Sequence, residues 1–207
     1  LKNAKELFES YVQNMFANND WKLKLISEIC ENLDSKRIPI TENRRNKGEI
    51  PYYGASGIVD YVEGHLFNED LLLVSEDGAN LLMRTYPIAF SVSGKTWVNN
   101  HAHVLRFKKL ASQKFVEYYL NSIKLDKYVS GMAQPKLNQK MLNSIPVPFP
   151  DDLKLQERIV DTLDKLSVEI EKLETTYQQK LDDLEELKKS ILQKAFSGEL
   201  TEKNILV

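Results

Sequence analysis

Residues 152–196 read DLKLQERIVDTLDKLSVEIEKLETTYQQKLDDLEELKKSILQKAF, a run without Gly or Pro. Apolar residues recur at Ile159, Leu163, Leu166, Ile170, Leu173, Tyr177, Leu181, Leu184, Leu187 and Ile191, mostly in steps of three and four. That period is close to the 3.5 residues of a coiled-coil seam. It predicts one helix of roughly 66 Å, at about 1.5 Å per residue. Such a rod is longer than the domain before it should be wide. It cannot bury its whole stripe there, so it needs another helix. Ile159, Leu163, Leu166, Ile170, Leu173, Tyr177, Leu184 and Ile191 are the expected dimerisation contacts.

The flanks of this run mark its limits. Ile145-Pro146-Val147-Pro148-Phe149-Pro150 forbids a helix and favours an extended connector. Asp151 and Asp152 follow, where carboxylates suit a helix N-terminus. Gly198 is placed to stop the helix. Upstream, residues 21–150 alternate short β-like runs with turns. Ile50–Val62, Leu71–Ser75, Tyr86–Val92 and His103–Phe107 read as strands, Leu71–Ser75 as one buried on both faces. Asp77-Gly78-Ala79-Asn80 reads as a turn, Lys114–Asn121 as a helix and Gln139–Ser144 as a short one.

Residues 1–17 read as the end of another helix, closed by Asn18-Asn19-Asp20. Shifted by 180 positions, residues 1–16 overlay residues 181–196 with six identities, at Leu1, Glu6, Leu7, Ser10, Gln13 and Phe16. Two amphipathic helices agreeing by composition would explain some of this. The sharper reading is that the chain starts where an earlier copy of the same unit ends. The first residue is Leu1, as expected for a piece of a longer protein. The expected organisation is therefore the end of a helix (1–17), a globular mixed α/β domain with a twisted sheet and short helices (18–150), a long coiled-coil helix (151–197) and a tail (198–207).

Composition, at 42% hydrophobic and 28% charged, is that of a soluble chain with room for one good core. No apolar run reaches membrane-spanning length and no signal-peptide pattern opens the chain, so the cytoplasm is the expected compartment. A single cysteine, Cys30, offers neither a disulfide framework nor a zinc cluster and reads as a reduced packing residue. Net charge is −2, but it is unevenly spread. Residues 21–150 hold 17 Lys/Arg against 13 Asp/Glu, and residues 151–207 hold 9 against 14. The sign suits a DNA-reading head on a protein-binding arm. A solvated acidic helix beside an average domain explains it equally well.

Catalytic signals are weak. Ser93-Gly94-Lys95-Thr96 echoes the end of a phosphate-binding loop, but the Gly required five residues before Gly94 is Ala89. His101 and His103 would share one face of a strand, yet no third metal ligand lies at a telling spacing. No catalytic residue and no metal site is expected. Binding signals are better. Arg44, Arg45 and Lys47 cluster with Asn43 and Asn46. Lys95-Thr96-Trp97 precedes Asn99, Asn100 and His101 on turn-like backbone. Gln134, Lys136 and Asn138 surround Pro135. Arg and Lys clamp phosphate or read guanine, and Asn reads adenine. The expected DNA contacts are Arg44, Arg45, Lys47, Lys95, Asn99, Lys136 and Asn138 on one surface. Solvated loops would carry the same residues.

Seven stretches together carry a resemblance. They are Pro51-Tyr52-Tyr53-Gly54-Ala55-Ser56-Gly57, Glu76-Asp77-Gly78-Ala79-Asn80, Gly94-Lys95-Thr96-Trp97-Val98-Asn99-Asn100-His101-Ala102, Ala133-Gln134-Pro135-Lys136-Leu137-Asn138, Ile145-Pro146-Val147-Pro148, Gln156-Glu157-Arg158-Ile159-Val160 and Ala195-Phe196-Ser197-Gly198-Glu199-Leu200. The chain resembles the specificity subunit of type I restriction-modification systems over nearly its whole length. The resemblance implies a target recognition domain that reads one half-site of double-stranded DNA. It implies long helices that pair antiparallel and set the distance between half-sites. It also implies no catalytic centre and no cofactor in this chain. S-adenosylmethionine would come with modification (methyltransferase) subunits, and ATP and magnesium with restriction subunits. This chain departs from the full pattern in having one recognition domain. Its expected helix partner is a second copy of itself or the other half of a full subunit. Rival readings are a coiled-coil scaffold or inhibitor, a nuclease, and the detached recognition piece of a fused methyltransferase.

Overall fold

The computed structural model describes residues 2–17, 20–131 and 133–197. Contacts divide the chain into a unit spanning Glu9–Thr162 and a second unit from the described parts of 1–8 and 163–207. The elements run α1 (Lys2–Ala17), β1 (Leu23–Leu25), α2 (Ile26–Ile29), β2 (Glu31–Asn32), β3 (Lys47–Gly54), β4 (Gly57–Val62), β5 (Phe67–Asn68), β6 (Leu71–Ser75), α3 (Asn80–Met83), β7 (Ala89–Val92), β8 (Lys95–Val98), β9 (Ala102–Arg106), α4 (Leu110–Ser122), α5 (Gln139–Asn143), β10 (Pro146–Pro148) and α6 (Leu153–Phe196). This is the mixed α/β domain and long helix that the sequence pattern predicts. Gly198, the tail 198–207 and the Asn18-Asn19 stop lie outside the described residues.

One sheet has the order β2-β9-β6-β7 and is antiparallel throughout. The other has the order β4-β3-β8-β5, with β3 and β8 parallel. Every residue of β6 is buried. Alternation sends its side chains to opposite faces. Leu71 and Leu73 join Val104, Ala102 and Val92 in one core cluster with Phe67 and Val98 of the second sheet. Helix α4 packs on β6 and β7 and buries Phe115, Val116 and Leu120.

Two segments differ from the sequence expectation. Lys95–Val98 is a central strand rather than a loop. Its basic and amide neighbours hide a period of two, in which Thr96 and Val98 are buried and Lys95 is exposed. The proline-rich connector is also paired, as β10 against β1. Phe149 N–H donates to the Lys22 carbonyl at 2.9 Å. Counting back by two, the nitrogens of Pro148 and Pro146 point away from β1, where a missing N–H costs nothing.

Helix α6 starts on Asp152, whose carboxylate accepts the Lys154 N–H at 2.9 Å. Gln156 is buried there, donating to the Pro150 carbonyl at 2.7 Å and accepting from Ser112 Oγ at 2.6 Å. Within the Glu9–Thr162 unit, the end of α1 is held by rings. Phe16 is 5% exposed and meets Phe115 and Tyr119 edge-on, with centroids at 5.2 and 5.1 Å. Trp21 lies 6.4 Å away, also edge-on. Phe16→Ala is expected to cost about 3 kcal/mol, near the low end for a buried aromatic because three neighbouring rings can close part of the hole. The melting temperature should fall by about 6–12 °C. A shift below about 2 °C in a calorimetric scan would contradict this packing. Cys30 donates its S–H to the Ile26 carbonyl at 3.2 Å, and burial pushes its thiol up to about 12. It is a packing residue and not a reactive one.

Candidate nucleic-acid interface

Three loops meet beyond the end of β6. Glu76 extends that strand by main-chain bonds on both sides. Its N–H donates to the His101 carbonyl at 2.9 Å, and its carbonyl accepts the Leu137 N–H at 2.8 Å. Gly78 N–H donates to the Pro135 carbonyl at 3.0 Å. At Gly78 the backbone turns with φ +107°, which a side chain would resist. Segments 76–80, 99–103 and 133–138 are thereby fixed to one another.

Beneath them lies a network of charges. Arg37 Nη1 donates to Glu76 Oε2 and to the Ala102 carbonyl, both at 2.7 Å, and Nη2 lies 3.5 Å from Asp34 Oδ2. Lys136 Nζ lies 3.0 Å from Glu76 Oε1. His103 is fully buried, with Nδ1 2.6 Å from Asp34 Oδ2 and Nε2 2.7 Å from the Leu137 carbonyl. The other Asp34 oxygen accepts the Val104 N–H at 2.9 Å. Buried charges persist only when paired and hydrogen-bonded, and here each carboxylate has several donors. Burial alone would raise the Asp34 and Glu76 carboxyls. Hydrogen bonds from His103 to Asp34, and from Arg37 and Lys136 to Glu76, outweigh it and hold both below the usual range. Asp34, Glu76 and His103 are close enough to hold a cation. The Arg37 guanidinium already supplies the positive charge to both carboxylates.

The sign of the pH effect follows. Carboxyls lowered on folding contribute stability that is complete above the unfolded values, near pH 4, and is lost as pH falls through the folded values. The urea midpoint should drop between pH 5 and pH 3, and Glu76→Gln should flatten that drop. Parallel profiles for the two proteins would remove Glu76 from the account.

The expected contact residues divide between two places. The register Tyr52↔Trp97 sets Lys95 level with Ile50, toward the end of β3 where Lys47 lies. Arg44, Lys47 and Lys95 are all exposed. Asn99, Lys136 and Asn138 belong to the three joined loops instead. Several of the seven also hold the backbone. Arg45 donates to Asp60 Oδ2 and to the Ile40 carbonyl, both at 3.1 Å, and lies over the Tyr52 ring at 4.7 Å. Asn99 is buried and accepts the His101 N–H at 2.8 Å. Asn138 caps α5 through the Met141 N–H at 3.0 Å. Lys136 pairs with Glu76 but keeps half its side chain in solvent. His101 and His103 do not share a strand face. His101 stands in the turn before β9, 2.8 Å from Asp77 Oδ2, while His103 points into the core. Arg37 and Asp34 were not singled out from sequence, because their partners lie 39 and 69 residues away.

The family model of the type I restriction modification DNA specificity domain matches residues 18–183. The chain belongs to this family. A type I restriction enzyme specificity subunit of Haemophilus influenzae is 34% identical over 158 residues, covering 76% of this chain and 40% of that one. The solved type I restriction-modification S subunit of M. genitalium superposes with a TM-score of 0.65 at 16% identity, over 93% of this chain and 54% of that one. A chain from a solved type I system has a TM-score of 0.73 at 17% identity, over 94% and 52%. At those identities the two structures speak for the fold. The chain spans about half the length of the solved relatives and 40% of the Haemophilus one.

Two further features of this specificity domain bear on contacts. Arg84 is the non-glycine residue with positive φ, at 55°, among the described residues. Its guanidinium donates to the carbonyls of Leu120 and Ile123 at the end of α4, which holds the strained loop in place. Of the proposed seam residues on α6, Leu163 is buried within the single chain and Ile159 and Ile170 are half-buried. Leu166, Leu173, Tyr177, Leu184 and Ile191 are exposed, with Leu181 and Leu187 beside them.

Proposed function

We propose that the chain reads one half-site of double-stranded DNA for a type I restriction-modification complex, without catalysis of its own. The observation that carries this is the specificity-domain match across 18–183, on a fold that presents three mutually bonded loops. A rigid frame under exposed polar loops suits base reading, because it keeps donors and acceptors in register with base edges. On the rim, Asn100, His101, Gln134 and Lys136 are exposed. Helix α6 pairs with an equivalent helix, from a second copy or from the other half of a full subunit, and docks modification subunits. S-adenosylmethionine belongs to those subunits, and ATP and magnesium to restriction subunits. No described helix is long and apolar enough to cross a membrane. A cytoplasmic complex on DNA fits that.

The test is reconstitution. The purified chain should neither methylate nor cut DNA. With a cognate modification subunit and S-adenosylmethionine, methylation should appear at one defined sequence. Methyl transfer by the chain alone, or sequence-independent methylation by the pair, would overturn the reading.

Arg44 is the strongest candidate for a DNA contact in its loop, because Arg45 is committed to Asp60 and Tyr52. If Arg44 clamps phosphate, Arg44→Ala should weaken all sequences alike and reduce the salt slope by about 1. If it reads a base, preference should change by about 1–3 kcal/mol at one position. Affinity, preference and slope all unchanged in the assembled complex would place the interface away from this loop.

A further inference from the structure

The loop from Asn80 to Tyr86 is locked at its neck and at its tip, and much of what it shows to solvent is apolar. Asn80 is buried, and its side chain spans the neck. Its Nδ2 donates to the Tyr86 carbonyl at 2.9 Å, and its Oδ1 accepts the Thr85 hydroxyl and the Tyr86 N–H, both at 3.2 Å. At the tip, the left-handed Arg84 is tied through its guanidinium to the carbonyls of Leu120 and Ile123. Tyr86 Oη lies 3.2 Å from Ser56 Oγ in the turn between β3 and β4. That turn is itself fastened to the end of β6, where Ser75 Oγ donates to the Ala55 carbonyl at 2.5 Å. Between these anchors Leu82 is 44%, Met83 70% and Tyr86 47% exposed. Strained backbone persists where its surroundings over-determine it, and such places cluster at ligand contacts. Here the strain holds an apolar side chain out in water.

We propose that Met83 reads a thymine of the half-site, packing its side chain on the 5-methyl group of that base in the major groove while Leu82 and Tyr86 exclude water around the contact. The proposal rests on the half-site reading above and adds a chemistry that the polar rim lacks. The loop is continuous with that rim. It begins at Asn80, the last residue of segment 76–80, where Gly78 is bonded to Pro135. Every base pair offers donors or acceptors in the major groove, and the one apolar group there is the thymine methyl. The amides, lysine and histidine of the rim answer donors and acceptors but not a methyl. An unbranched thioether is flexible and polarizable, and so can close on a small apolar group. The backbone on both sides of Met83 is already fixed, so little freedom is lost when the contact forms.

The test uses the complex assembled with its modification subunit and a duplex carrying the sequence that methylation mapping identifies. Each thymine of the half-site and its flanks is replaced in turn by deoxyuridine, which removes the 5-methyl and keeps the hydrogen-bonding edge. Affinity of the parent complex, followed by fluorescence anisotropy, should fall about fourfold at one or two positions, the effect of exposing roughly one methyl group. Met83→Ala should bind the thymine duplex about fourfold more weakly and respond to none of the replacements. Because Met83 is exposed, the variant should melt within about 2 °C of the parent. A parent indifferent to every deoxyuridine overturns the proposal and leaves half-site reading standing. So does a Met83→Ala complex that keeps the parent's response. A parent complex that selects no sequence at all overturns half-site reading itself, and the proposal with it. If Met83→Ala fails to assemble with the modification subunit in the absence of DNA, the loop is a protein contact and the proposal falls.

Discussion

Arg37→Met should lower the free energy of unfolding by about 3–5 kcal/mol, the usual cost of removing one partner from a buried ion pair. Methionine keeps most of the length and apolar volume of arginine, so packing changes little. What is lost is the guanidinium that joins Glu76, Asp34 and the Ala102 carbonyl. Glu76 keeps Lys136 and Asp34 keeps His103, which is why the effect should not exceed that range. A double-mutant cycle makes the test sharp. Glu76→Gln removes the charge that Arg37 answers, so the two substitutions together should cost clearly less than the sum of each alone. Additive losses, or a single-mutant loss under about 1 kcal/mol, would mean that Arg37 is only another surface cation.

The second large effect concerns α6. Leu166→Asp with Leu173→Asp puts two carboxylates into the proposed seam. Both leucines are exposed in the single chain, so the folded monomer should tolerate the change. In a paired helix each aspartate would be desolvated, at a cost of several kcal/mol. Two of them should weaken pairing by roughly a thousandfold or more, since about 1.4 kcal/mol is tenfold. Light scattering at micromolar concentration should show the parent as a dimer and the double variant as a monomer. A parent that is already monomeric removes self-pairing and leaves the other half of a full subunit as the partner.

How much of this was legible beforehand differs by element. Helix α6 is periodic over many turns and free of breakers, so its pattern could hardly be misread. Strand β6 announced itself through the unbroken apolar run Leu71-Leu72-Leu73-Val74, the pattern of a strand buried on both faces. Strand β8 did not, because four residues give only two alternations and the amides that follow look like a loop. The site was harder for a different reason. Asn99 and Asn138 are short amides, equally fit to read adenine or to bond nearby backbone, and the fold uses both for the second task. Arg45 faced a similar choice between phosphate and Asp60. The network of Arg37, Asp34, Glu76 and His103 joins positions far apart in the chain. Only folding creates it, and no local spacing signals it.

The clamp around Glu76 separates what holds the three loops from what they display. The bonds from Glu76 to His101 and Leu137, and from Gly78 to Pro135, run through peptide groups. They do not depend on which side chains point outward between them. Asn100 and Gln134 can therefore be exchanged without disturbing the geometry that displays them. Lettering and typeface are separate here: on the proposed reading, substitutions on the rim would spell a new address, while the press that holds the type stays locked.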